Sequence, residues 1–322
     1  MNNIIPTRGN DFTVEALGDG IYAAIAVNGG QAICNSRLID LGGQILVYDT
    51  FISPHAAMSL KAFCVDRFGK PPQIVINSHY HNDHIWGNQV FADDALILSS
   101  SITREHISTD GWEEIQWFSA NSAQKLADLQ EKFQNTVDEG EKQELLLWIG
   151  EYSAVVESLP QLKVCLPTVT FPSSLEIHGN KRTAKLLTYD NAHTVSDTIL
   201  YLPDDGIIFM SDLLFVGMHP YLGDGEPGKL LEVLREISKL NGKLFVPGHG
   251  ITGTLKDIDA LIDYLEHCNE TASKFLETGV PIEEGLSKLQ VADAYRDWMV
   301  TQFYHTNIRF IHEKLLAKNK SN

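Results

Sequence analysis

Six residues, His79-Tyr80-His81-Asn82-Asp83-His84, carry three imidazoles and a carboxylate. Such groups are costly to bury unless they are hydrogen-bonded or coordinate a metal. Imidazole with carboxylate suits zinc, and iron or manganese also fit. The motif follows the apolar run Ile74-Val75-Ile76, with Pro71 and Pro72 before it and Gly87-Asn88 after it. That order reads as a strand, a ligand-bearing turn and the first turn of a helix. His79 and His81 are two apart and point the same way on the strand side. Asp83 and His84 are adjacent and diverge, so two sites side by side fit better than one ion holding all four groups.

Two ions need more ligands than this turn supplies. His193 lies beyond the β-like run 184–189, Asp212 follows Ile207-Ile208-Phe209-Met210, and His249 follows Leu244-Phe245-Val246 in Pro247-Gly248-His249-Gly250. Each is expected just past the carboxyl end of a strand, where layered α/β proteins gather their functional loops.

The ordered set of the 79–84 motif, Ala192-His193-Thr194, Ser211-Asp212 and Pro247-Gly248-His249-Gly250 resembles the metallo-β-lactamase-fold hydrolase superfamily over about residues 11–250. The resemblance implies an α+β fold, a four-layer αββα sandwich with a dinuclear metal site at one edge of its two sheets. It places His79, His81 and His193 on the first metal. Asp83, His84 and His249 fall on the second, and Asp212 bridges both. An Asp at the bridge with His84 in the turn looks like the glyoxalase II, lactonase and phosphodiesterase branches. True zinc β-lactamases commonly place a Cys ligand where Asp212 stands, so β-lactam hydrolysis is not the expectation. Two zinc ions are the expected cofactors, with iron or manganese as alternatives.

The elements that must position these residues can be read in order. Strands are expected over 12–17, 21–27, 31–39 and 44–48, separated by Gly-rich turns. Asp49 ends the last of these, either as an acceptor for a ligand imidazole N–H or as a turn carboxylate. A helix over 56–68 hands over to the metal-bearing strand, and a short helix over 86–91 and a strand over 96–99 follow. Residues about 101–160 read as a helical insertion near the site mouth, with stripes at Leu126, Leu129, Phe133, Val137 and at Trp148, Tyr152, Val155, Leu159. Gly140 is expected to separate the two. Trp112, Trp117 and Phe118 either line a pocket or pack in the core.

Core strands resume over 168–171, 175–177, 184–189, 198–202 and 206–210. Thr194 and Asp197 either orient His193 or cap a turn. The Gly/Pro-rich loop 216–228 leaves Asp212, so its His219 and Tyr221 are candidates for substrate contact or proton transfer. A surface His and a packing Tyr are the alternative. A helix over 229–240 and a strand over 243–246 lead to His249. A C-terminal helical segment from about 255 to 322 carries helices over 255–276, 283–289 and 298–316; it covers a sheet, shapes the pocket or forms a homodimer contact. His55, His106, His178, His267, His305 and His312 have no neighbouring ligands in sequence and read as structural or solvent-facing.

Net charge is −17, from 25 basic and 42 acidic residues, which argues against nucleic acid as a partner. No apolar run approaches the ~20 residues of a membrane span, and residues 1–10 lack the apolar centre of a secretory leader. Cys34, Cys64, Cys165 and Cys268 are dispersed and read as reduced core thiols. A cytoplasmic enzyme acting on a small molecule is the expectation.

With both metals in place, a bridging water yields hydroxide near neutral pH, which would attack an acyl or phosphoryl centre of an ester, thioester, lactone or phosphoester. Asp83 is the expected catalytic residue, orienting the hydroxide and shuttling its proton. No Ser-His-Asp or Cys-His constellation competes. One rival keeps the fold and changes the chemistry, a mononuclear iron oxidoreductase acting on sulfur or oxygen. A non-catalytic binding module would have lost ligands, and none is lost.

Overall fold

Short apolar strands with opposite-facing neighbours set the layers. The structure, a computed structural model, describes residues 3–5 and 10–321. One sheet holds eight strands in sequence order: β1 (Asn3–Ile5), β2 (Phe12–Gly18), β3 (Ile21–Ala26), β4 (Ser36–Asp40), β5 (Ile45–Tyr48), β6 (Ile74–Ile76), β7 (Leu96–Ser100) and β8 (Val169–Phe171). Pairing is antiparallel as far as β5 and parallel from β5 to β8. The second sheet is built from β9 (Ser174–His178), β10 (Thr183–Asp190), β11 (Ser196–Leu202), β12 (Ile207–Val216) and β13 (Leu244–Gly250), in the order β13-β12-β11-β10-β9. Its pairs are antiparallel except β12 with β13.

In β6, Ile74 and Ile76 enter the inter-sheet core with Tyr48, Leu186, Phe209 and Val246, whereas Val75 faces the other way. Val75 joins Leu38, Val47 and Ile97 against Ala56, Leu60 and Cys64 of α1 (Pro54–Phe68). Beyond the second sheet, Ile208 and Met210 pack on α6 (Pro227–Ile237) and α7 (Leu255–Thr278) through Leu230, Leu234 and Leu261. Helix, sheet, sheet, helix is the expected αββα sandwich, and burying both faces of each sheet explains the nearly continuous apolar strands.

Two short helices, α2 (Asn82–Ile85) and α3 (Asn88–Phe91), follow β6, one turn earlier than the sequence suggests. Between the paired strands β7 and β8 run α4 (Ser101–Asn135) and α5 (Glu139–Ser158). The break falls at residues 136–138, where the Asp138 side chain accepts from Glu141 N at 2.8 Å; Gly140 lies inside α5. Val137, expected on the apolar stripe, is 90% exposed. Ile107, Phe118, Ala154 and Val155 close over Ile52, Ile85 and Trp86, so these helices cover the turn that bears Asp83 and His84. Helices α8 (Ile282–Lys288) and α9 (Gln302–Ser321) complete the outer layer.

Residues 31–35, expected as strand, are irregular. The Asn35 side chain ties Ala26 N to the carbonyls of Pro247 and Gly250, linking the two sheets under the site. No helix among the described residues is long and apolar enough to cross a membrane. The reading of residues 1–10 as lacking a secretory leader lies mostly outside the described residues.

Candidate metal centre

Parallel pairing brings chain ends together at one edge of the sandwich. β5 and β6 end side by side, delivering Asp49 and the turn that starts at Asn77. The β10–β11 connection delivers His193. Asp212 and His249 lie within β12 and β13, not past their ends as expected from sequence. The ladder between these two strands is interrupted on either side of Ser211, whose φ is +48°. That irregularity turns Asp212 out of the strand's alternation, a known use of bulges beside active sites.

The seven residues singled out in sequence come together as two donor groups. His79 Nε2 is 3.0 Å from His81 Nδ1, His193 Nε2 is 3.2 Å from the same nitrogen, and His193 Nε2 is 3.4 Å from Asp212 Oδ2. In the second group, His84 Nε2 is 3.3 Å from Asp83 Oδ2 and 3.2 Å from Asp212 Oδ1. His249 Nε2 is 3.3 Å from both Asp83 Oδ2 and Asp212 Oδ2. A tetrahedral ion with bonds of about 2.0–2.1 Å spaces its donors about 3.3–3.4 Å apart, close to these separations.

Two buried atoms, His84 Nε2 and Asp212 Oδ1, lack a hydrogen-bond partner although only 3.2 Å separates them. They do not align as donor and acceptor; they face a common point, as ligands of one cation do. Gly248 makes room for this. A Cβ there would lie 1.7 Å from Asp212 Oδ1, so the Pro-Gly-His-Gly turn needs its glycine where the carboxylate crosses it. The His/Asp cluster could therefore hold metal.

A supporting set fixes the donors. Asp49 accepts from Ser78 N at 2.9 Å and from Ser211 Oγ at 2.9 Å, and its Oδ2 lies 3.0 Å from His84 Nδ1. Arg37, fully buried, stands 3.6 Å from Asp49 and donates to the carbonyls of Asn35 and Pro247. Ser78 Oγ is 2.9 Å from His79 Nδ1. Asp197 accepts from His193 N and Thr194 N, so it shapes the loop backbone and does not touch the imidazole. Asp224 Oδ2 lies 2.9 Å from His81 Nε2, which leaves Nδ1 turned to the centre.

Electrostatics divide the imidazoles. Burial pushes His193 down to about 3, keeping its lone pair free. Burial also opposes charge on His249, but Asp212 and Asp83 outweigh it and push it up to about 10. Burial would raise Asp83, yet His84 and His249 hold it well below the usual carboxylate range. Cys34, read in sequence as a core thiol, is buried but borders the centre, its Sγ 2.9 Å from the Asp83 carbonyl and grouped with Asp83 and His84. Burial pushes this thiol up to about 12.

A cavity of about 390 Å³ opens over the donors, walled by Phe118, Trp148, Phe215, Tyr221 and Phe303. Tyr221 stands near His81 and His193, with ring centroids at 6.1 and 6.3 Å. His219 reaches the wall but is 1% exposed and sits 3.2 Å from the Tyr264 hydroxyl. Of the three aromatics starting α4, Phe118 lines the cavity, while Trp112 and Trp117 are 68% and 47% exposed. Sequence reasoning missed Asp224, Glu114 and Glu151, all in the cavity wall. Asp224 had a faint signal, an acid between two glycines three residues after Tyr221. The six other histidines lie outside both donor groups.

A family model described as the metallo-beta-lactamase superfamily matches residues 29–249. The chain is 24% identical over 281 residues to the 2,4-dinitroanisole O-demethylase subunit alpha of Nocardioides sp. (strain JS1661), covering 86% of this chain and 66% of that one. It thus spans just under two thirds of that relative's length. The crystal structure of a metallo beta lactamase from Erythrobacter litoralis, with beta mercaptoethanol in its active site, superposes with a TM-score of 0.59 at 14% identity. That likeness covers 82% of this chain and 100% of the other, and it concerns the fold alone. With the family model spanning more than half of its length, the chain belongs to the metallo-beta-lactamase superfamily.

Proposed function

We propose that this protein is a metal-dependent hydrolase of a small molecule, using two divalent cations, zinc by preference, held by the seven His and Asp donors. The reaction is cleavage of an ester-, thioester-, lactone-, ether- or phosphoester-type bond. The observation that carries the reading is the pair of donor groups sharing Asp212, with donor separations of 3.2–3.4 Å around it. When bound, such cations acidify water and polarise a substrate oxygen.

The chain's own residues do the rest. Asp83 Oδ2 stands between His84 and His249 at the cavity floor, placed to orient a water and take its proton. Asp224 holds His81 in one ring orientation, and Asp49 does the same for His84. The aromatic wall limits the water that reaches the floor, which strengthens every charge interaction there.

A second reading, a mononuclear iron oxidoreductase, draws on the O-demethylase relative, because a methyl ether can be opened by water or by oxidation. Protein purified without added metal separates the two. About two zinc equivalents, with turnover of an ester, lactone or aryl ether panel that incorporates labelled water and consumes no oxygen, is the expected result. One iron equivalent with oxygen uptake would replace the hydrolase reading.

A further inference from the structure

Resting on the hydrolase reading, we propose that the cavity takes an uncharged aromatic substrate and turns anionic ones away, with Glu114 of α4 and Glu151 of α5 setting that choice. The wall has five aromatic rings, Phe118, Trp148, Phe215, Tyr221 and Phe303, suited to a flat apolar ligand. Its charged groups are all acids: Asp83, Glu114, Glu151, Asp212 and Asp224 line the cavity, and no Lys or Arg among the described residues does. Carboxylate and phosphate ligands are ordinarily met by Arg or Lys.

The histidines do not fill that gap. Burial pushes His219 down to about 4, and His81 and His249 are neutral when they hold a cation. With all five carboxyl groups ionised, a pair of divalent cations, +4 against −5, would leave no excess of positive charge. Burial raises Glu114 to about 7 and Glu151 to about 8. Protonated, each is an uncharged hydrogen-bonding group; ionised, each repels anions. In neither state do they neutralise one. Phosphodiesters and carboxylate-bearing lactams are thereby disfavoured, and uncharged esters, lactones and aryl ethers remain.

The test uses three probes on one nitrophenyl ring, which quenches tryptophan: neutral 4-nitroacetophenone, anionic 4-nitrobenzenesulfonate and cationic (4-nitrobenzyl)trimethylammonium. A sulfonate is a poor metal ligand, so it reports the wall and not the ions. Titrations are made on the metal-loaded full chain at about pH 9, above the raised values of both glutamates. The ketone and the ammonium are expected to quench Trp148, with the sulfonate about 30-fold weaker or worse, the order that like-charge contact in a half-buried site supplies. In the Glu114→Gln/Glu151→Gln variant the ketone is expected unchanged and the sulfonate gap at least about fivefold smaller. Loss of the quench in Trp148→Phe locates the probe.

A sulfonate that binds wild type as well as the ketone, an unchanged gap in the double variant, a quench that survives Trp148→Phe, or no ketone binding would each overturn the proposal. Failure of the hydrolase reading looks different: the probes bind in the expected order while no ester, lactone or ether is cleaved.

Discussion

At the scale of single residues, the centre turns on a carboxylate that faces two ways. Asp212 Oδ1 points to His84, and Oδ2 to His193 and His249. An amide carries no charge and bridges two cations poorly, so Asp212→Asn is expected to weaken the second ion most, since the first keeps three imidazoles. Metal content should fall from about two equivalents toward one, and turnover by about two to three orders of magnitude, or ~3–4 kcal/mol of transition-state stabilisation. Two tightly held ions with near-normal turnover would sink the bridge. Asp224→Asn is milder. It removes charge from the group 2.9 Å from His81 Nε2, and losses of such supporting partners cost about 10- to 100-fold in metal affinity. Competition with a chromophoric chelator would read this, and an unchanged affinity would mean that His81 needs no help.

The seven candidate donors could be picked out in sequence because each sits in a short motif whose residue types have no cheaper explanation, and the fold brings them together. Asp224, Glu114 and Glu151 could not. Glu114 and Glu151 have ordinary neighbours in sequence and Asp224 has only its flanking glycines, and it is the approach of the loop before α6 and of helices α4 and α5 that brings them to the cavity. Cys34 is the buried core thiol expected from sequence, and the fold adds what sequence could not show, that the atoms beside it include those of Asp83 and His84.

At the scale of elements, short β-favouring apolar runs and turn glycines located most strands to within a residue or two, because burial on both faces demands apolar runs. Two departures have physical causes. Residues 31–35 have β-favouring composition, yet Asn35 is drawn into bonds with the second sheet. Strand β12 continues through Asp212 because an irregular ladder absorbs the polar residues. Helix α5 is seated against the β3–β4 connection through Gly150. A Cβ at this position would lie 2.5 Å from the Gly30 carbonyl oxygen, so the helix would have to move. Overpacking of this kind costs about 1–3 kcal/mol, against a helix-propensity gain of about 1 kcal/mol for Gly→Ala. Gly150→Ala should therefore lower Tm by a few degrees and, by shifting the neighbouring Glu151, alter probe affinity. A Tm equal to or above wild type would show that α5 is not held by this contact.

At the scale of the whole molecule, metal and protons compete for the same atoms, and stability should report the competition. In the metal-free protein Asp212 and Asp83 overcome burial to push His249 up to about 10, and Asp83 and Asp212 raise His84 in the same direction. An imidazole whose folded value exceeds its unfolded value of about 6.5 contributes stability that is complete below that pH. The contribution is lost as pH rises through about 10, because the folded state then gives up a proton that the unfolded state had already released. Glu114 and Glu151, raised to about 7 and 8, have the same sign, but they are present with or without metal and largely cancel in the comparison. A bound cation removes the histidine slope, since a ligating imidazole carries no proton at its donor atom, and metal affinity itself increases as pH rises. At about a thousandfold excess of free metal over its dissociation constant the loaded form gains about 4 kcal/mol, or about 6 °C in Tm for a chain of 322 residues. The Tm difference between metal-loaded and chelated protein should widen steadily from about pH 6.5 to about pH 9.5. Scanning calorimetry of both forms across that range would check it. A constant or narrowing difference would mean that metal uptake displaces no protons, and the donors would have to be sought elsewhere.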